Sequence, residues 1–259
     1  MCLLVVASRL DPAVPLVLAA NRDERRDRPA TAVTVLKAEG PRIIGGRDEL
    51  AGGTWLAVNE YGVVAGLTNR PAPDGHNASK RSRGELPLAL TGHGDARHAV
   101  DAFVGEFRPD DYNPAWLLVG DRTSLFFVDM TAGARPAATE LGPGIHVLEN
   151  NPIDVPSPKT RNVRALLERL GTANATGGAT LQNLRTVLMD HGIPTDTTGL
   201  PDGVDPAVLA ACVHTERYGT RSAALISIPE DRAAVPHIRV ADGHPCVSVF
   251  ADASSLWSG

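Results

Sequence analysis

Cysteine is scarce in this chain of 259 residues: Cys2, Cys212 and Cys246 are all there is. So small a set builds no disulfide framework, and a reducing compartment is the default expectation. No stretch approaches the ~18–20 apolar residues of a membrane span. The first apolar run stops at Ser8-Arg9 and has no basic segment before it, so it is a poor secretory signal. A cytoplasmic location is expected on these grounds. Charge of one sign is also lacking. A formal net charge of -5 gives no basic footprint for nucleic acid or for an anionic membrane surface. His76, His93, His98, His146, His191, His214, His237 and His244 show no metal-ligand spacing, and no HExxH, CxxC, CxxCH, P-loop or GxGxxG context occurs. Neither a metal nor a cofactor is expected. No repeat and no linker divides the chain, which is read as one domain over residues 1–259 with a small molecule as its partner.

What is present is an ordinary globular composition, 43% hydrophobic and 21% charged. Short apolar runs at 2–7 and 15–20 flank an Asp11-Pro12 turn signal. Further strands are predicted at 42–46, 53–58, 62–68, 116–120, 124–129, 145–148, 222–228, 236–240 and 246–250. Helices are predicted at 85–90, at 95–106 with Asp95 as N-cap, at 161–170 and at 179–190. Hairpins alternate with helix pairs, which disfavours a parallel sheet. The expected architecture is α+β: mainly antiparallel sheets with helices packed outside. The segments 71–84 and 192–206 are long for connectors, and long loops often border sites.

One juxtaposition follows from geometry. If 2–7 and 15–20 form a hairpin, the numbers of paired residues sum to about 25. Cys2 then meets Arg22 or Asp23, at the end of a strand that runs into Asn21-Arg22-Asp23-Glu24. Removal of Met1 leaves Cys2 with a thiol and a free α-amine, whose ordinary pKa values are ~8.5 and ~7.7–8.0. The amine is a fit base for the thiol, and a neighbouring guanidinium favours thiolate. Two plainer readings stand beside this one. A cysteine in an apolar strand is usually core, and Asn-Arg-Asp-Glu is usually a solvated strand end. The run Lys80-Arg81-Ser82-Arg83 reads first as a solvated loop and then as an anion-binding rim.

Met1-Cys2, Asn21-Arg22-Asp23-Glu24, Gly52-Gly53-Thr54-Trp55-Leu56, Leu67-Thr68-Asn69, Arg83-Gly84-Glu85-Leu86 and Tyr218-Gly219-Thr220-Arg221 together resemble the NRDE family, also called the transport and Golgi organisation protein 2 family. That family is similar to the cysteine-type N-terminal nucleophile hydrolases. The resemblance implies an αββα sandwich and a Cys-dependent amidohydrolase or acyltransferase acting on a small amide or a thioester. Carried over, Cys2 is the nucleophile and Arg22 stabilises its thiolate. Asp23 matches the hydrolases' aspartate approximately, because those enzymes separate the arginine from the aspartate. Asn69 and Asn150 match the asparagines that hold the oxyanion, although each also suits a turn. Trp55, Arg221 and Asn21 are the candidate substrate contacts. The resemblance also implies an alternative, a non-catalytic carrier of haem or of an acyl-CoA-like lipid.

Overall fold

The computed structural model describes residues 2–71, 75–131, 133–153 and 155–258. Two wholly antiparallel sheets face each other. One is a meander in strict chain order: β3 (Ala30–Lys37), β4 (Ile43–Asp48), β5 (Leu56–Asn59), β6 (Val64–Asn69), β7 (Ala115–Gly120), β8 (Leu125–Met130) and β9 (Ala137–Glu140). The other interleaves both ends of the chain. Its spatial order is β10 (Gly144–Leu148), β1 (Leu3–Ser8), β2 (Leu16–Arg25), β11 (Tyr218–Ile228), β12 (His237–Asp242) and β13 (Ala251–Asp252).

Three apolar layers account for the apolar runs. In β1, Leu4 and Val6 point into the space between the sheets, with Leu18, Leu56, Leu118 and Ile226. Leu3, Val5 and Ala7 point the other way, onto helices α3 (Pro158–Arg169) and α4 (Gly178–Leu188) through Val163, Leu167, Leu184 and Leu188. Successive strand side chains alternate faces, so a strand covered on both sides has to be apolar throughout. On the meander, Ala65, Leu117 and Val128 pack against α1 (Glu85–Leu90) and α2 (Ala96–Glu106) through Leu86, Leu90, Val100 and Phe103. The result is the αββα sandwich. Leu4→Ala in its central layer would lose about 2–5 kcal/mol.

Helix ends follow local chemistry. Asp95 caps α2, its carboxylate accepting from the His98 backbone N–H at 2.8 Å. Ser157 and Thr160 form a reciprocal capping box before α3, with Pro158 in the first turn. Three expectations need correction. Residues 246–250 form no strand; the sheet ends instead on the two-residue β13. β3 and β9 were not foreseen: both are edge strands, and β9 is wholly exposed with no apolar pattern to read, whereas β3 is partly buried and carries the run Ala32-Val33-Thr34-Val35-Leu36. Asn21-Arg22-Asp23 is no solvated strand end: β2 runs on to Arg25 and buries all three.

Candidate active site

Strand register sets the surroundings of Cys2. Leu3 faces Asn21 across β1–β2, and Leu4 faces Leu148 across β1–β10. Continued past the end of β1, these registers set Cys2 between Arg22 and Asn150. All three share the pleat parity of Leu4, Ala20 and Leu148, which lie between the sheets. The register thus selects Arg22 rather than Asp23 as the residue opposite Cys2. Cys2, Arg22, Trp55 and Asn69 line a cleft of about 480 Å³, within the ~300–1,000 Å³ usual for small-molecule sites. Residues 80–84 form one wall, so the basic run read first as a solvated loop borders the cleft. Residues 72–74 of that loop lie outside the described residues. The 192–206 segment contributes nothing to the lining among the described residues.

Arg22 is 4% exposed. Its Nη2 lies 3.5 Å from an Asp48 carboxylate oxygen, and its guanidinium carbon sits 4.4 Å from the centre of the Trp55 ring. Its Nη1 has no hydrogen-bond partner among the described residues. Asp48 is shared: Arg28 Nε donates to it at 2.7 Å. Burial works against the Asp48 charge, but the hydrogen bond from Arg28, those from the Ala51 and Leu50 backbone N–H groups and the Arg28 charge together outweigh it and hold its pKa below the usual value. Cys2 is partly exposed, yet burial of its sulfur pushes the thiol pKa up. The positive amino terminus pulls the other way, the Asp23 charge pushes up, and Arg22 and the Asp23 backbone N–H, which donates to the sulfur, pull down.

The opposite face of β2 does different work. Asp23 borders the cleft, but its carboxylate accepts from Lys159 Nζ of α3 at 3.1 Å and from Thr220 Oγ1 at 2.6 Å. Both charged side chains are fully buried. Asn21 donates to the carbonyls of Leu188 at 2.9 Å and Ala211 at 2.8 Å. It is turned away from the cleft, against the helix layer. Lys159 carried no sequence signal, since a lysine in a first helical turn is ordinarily solvated.

Two further motifs act through the backbone. Gly53 sits at φ +80°, and a Cβ there would come within 2.5 Å of the Gly84 carbonyl. The Thr54 N–H donates to that same carbonyl at 3.0 Å. The Gly-Gly-Thr-Trp and Arg-Gly-Glu motifs are thus one backbone clasp on the cleft wall. In Tyr218-Gly219-Thr220-Arg221, the Tyr218 hydroxyl donates to the Asp23 carbonyl at 2.7 Å, and Thr220 holds the carboxylate. The β2–β11 register slips between Thr220 and Ser222, leaving Arg221 as the bulged residue. Arg221 donates to the carbonyls of Arg25 and Arg26 and lies outside the cleft lining.

The two asparagines meet each other. Asn69, exposed at the end of β6, lines the cleft, and its backbone carbonyl accepts from Asn150 Nδ2. Asn150 is buried, and its Oδ1 has no partner among the described residues. Among the described residues, one set of side chains has metal-binding composition: His191, Cys212, His214 and Cys246, gathered by the fold from distant parts of the sequence. None of them lines the cleft.

Known proteins share this architecture. A mutant of conjugated bile acid hydrolase from Clostridium perfringens superposes with a TM-score of 0.50 at 12% identity, covering 97% of this chain and 96% of that one. The Caenorhabditis elegans N-acylethanolamine-hydrolyzing acid amidase ortholog gives 0.53 at 12% identity over 87% and 92%. The fold is therefore that of the N-terminal nucleophile hydrolases. In sequence, the chain is 28% identical over 237 residues to the Transport and Golgi organization protein 2 homolog of Bos taurus, covering 85% of this chain and 84% of the relative. The profile for Transport and Golgi organisation 2 matches residues 1–237, and the chain belongs to that family.

Proposed function

We propose that this protein is a cysteine-dependent N-terminal nucleophile hydrolase or acyltransferase that cleaves a small amide or a thioester. The observation that carries this reading is the buried Arg22 guanidinium beside Cys2, with one nitrogen that has no partner among the described residues, in a cleft of ligand size. An unsatisfied buried donor is costly unless a ligand or reacting group completes it. Thiolate and substrate carbonyl are both such groups.

In the mechanism, loss of Met1 frees the Cys2 α-amine, which takes the thiol proton. The sulfur attacks the substrate carbonyl carbon, and the resulting oxyanion is held by the Asn69 side-chain amide, while Asn150, outside the cleft lining, anchors the Asn69 backbone. The tetrahedral adduct collapses as the leaving nitrogen or sulfur departs and takes the proton from the α-ammonium, which restores the neutral amine. Water or another acceptor, deprotonated by the same amine, then releases the acyl group. Arg28, Lys80 and Arg83 border the cleft with Arg22, against Glu24 and Asp48 on the acidic side; Asp23 is paired with Lys159 and Arg81 with Glu85. That imbalance favours a substrate bearing a carboxylate or phosphate remote from the scissile bond.

The test combines intact mass with turnover of acyl amides and acyl thioesters that carry a terminal anion. Active protein should begin at Cys2, and Cys2→Ala should abolish turnover. Full activity in Cys2→Ala would remove the nucleophile from the proposal. Retention of Met1 in functional protein would return the cleft to the carrier reading, with haem or an acyl-CoA-like lipid as occupant.

A further inference from the structure

The fold collects four side chains that sequence spacing kept apart. His191 follows α4, Cys212 and His214 lie on the segment leading into β11, and Cys246 sits in the turn after β12. One ligand atom from each falls within 4.8 Å of every other. His214 Nε2 lies 3.5 Å from Cys212 Sγ and 3.4 Å from Cys246 Sγ.

These spacings have a simple geometric meaning. Zinc bonds to sulfur at ~2.3 Å and to imidazole nitrogen at ~2.0–2.1 Å, so the S···N edge of a tetrahedral site is about 3.5 Å. Both sulfur–nitrogen distances match that edge. Two thiols with two imidazoles is a donor set that selects zinc over the hard cations, which prefer oxygen. The His214 ring is held in place, stacked on His244 at 3.8 Å between centroids and met edge-on by His191 at 4.8 Å. Cys212 is positioned through its backbone, whose N–H donates to the Asp190 carbonyl at 2.8 Å.

We propose that His191, Cys212, His214 and Cys246 form a structural zinc site, closed by four protein ligands and separate from the cleft. Binding draws the metal from solution and releases the two thiol protons to solvent. No redox change is involved. The site ties together the end of α4, the approach to β11 and the turn after β12. Its reach extends to β2. Asn21 donates to the Ala211 carbonyl, and the Val213 N–H donates at 2.8 Å to Thr220 Oγ1, which in turn donates to Asp23. Zinc would therefore pin the segment that packs behind the Asn-Arg-Asp-Glu strand.

The experiment uses the full chain, purified without a metal-affinity tag. Elemental analysis should find one zinc per chain. Metal-free protein titrated with cobalt should give intense tetrahedral d–d bands and a thiolate-to-cobalt charge-transfer band. Cys246→Ser and His191→Gln alter residues that are at least partly exposed; folded by circular dichroism, they should lose most of the bound zinc and change the cobalt spectrum. Cys2→Ala should keep both, which separates this site from metal held at the cleft. Zinc should raise the melting temperature of wild type more than that of either ligand variant. A wild-type protein that contains no zinc and develops no thiolate–cobalt band would overturn the proposal. So would an intact mass lighter by two hydrogens with Cys212 and Cys246 joined by a disulfide in the protein as isolated. Because the wild-type spectrum decides alone, a variant that fails to fold does not weaken the test.

Discussion

The two faces of β2 at residues 21–23 bury polar groups of similar size to opposite ends. On the helix side, Asn21 and Asp23 find partners in Leu188, Ala211, Lys159 and Thr220. On the sheet side, Arg22 is equally buried but keeps a nitrogen with no partner among the described residues, with a long contact to Asp48 and an aromatic face as its company. Asn21 Oδ1 also lacks a partner among the described residues, so the contrast lies in the charges: a buried charge held by its counter-charge specifies structure, whereas one with an open donor marks a place where something else binds. Adjacent residues on a strand must face opposite ways, so the direct Arg22-Asp23 succession forces this division of labour.

The comparison breaks most visibly at Lys159. Lys159→Met leaves Asp23 charged and without its cation among helices, and should destabilise the fold by about 3–5 kcal/mol in urea unfolding. Cys2→Ala, on the other face, should leave the unfolding midpoint within the scatter of surface substitutions. Asn21→Ala removes the donor of two buried carbonyls and should lose about 1–3 kcal/mol. Arg22→Ala should shift stability by less than about 1 kcal/mol, because Asp48 retains Arg28. It should nevertheless slow iodoacetamide labelling of Cys2, since it removes a positive charge that favours thiolate. A loss of stability as large as that of Lys159→Met would erase the distinction between the faces. The smallest effect concerns pH. The Asp48 pKa is depressed in the folded state, so its contribution is present above the ordinary carboxylate value, ~3.9, and is lost as pH falls through the folded value. The melting-temperature advantage of wild type over Asp48→Asn should therefore shrink on acidification and stay flat from pH 6 to 8.

Much of this was legible in the sequence, for physical reasons. Strands buried on both faces announce themselves as apolar runs, and the hairpin constraint brought Cys2 to Arg22 within one residue. The helix carrying Asp95 as its cap was equally plain. What stayed hidden needed the third dimension. The charged end of β2 looks like a loop unless Lys159, 136 residues away, is known to meet it. Arg221 reads as a substrate contact because nothing in Tyr-Gly-Thr-Arg reveals the bulge that turns it outward. Asn21 reads as part of the site because polarity marks the motif without marking its face. The four metal-capable side chains show no motif because just two of them, Cys212 and His214, are near each other in sequence.

The interleaving of β1 and β2 with β10 and β11 has a consequence for synthesis. The meander completes itself once about half the chain has emerged, whereas β2 has one flank unpaired until residues 218–228 follow. At roughly 5–20 residues per second, that is many seconds with a bare strand edge in the cell. An apolar edge of that kind invites pairing with neighbouring chains. The Asn-Arg-Asp-Glu segment carries charge along that edge throughout the wait. Its polarity guards the nascent strand in water before β11 arrives and Arg22 and Asp23 are buried, Glu24 keeping part of its surface in solvent.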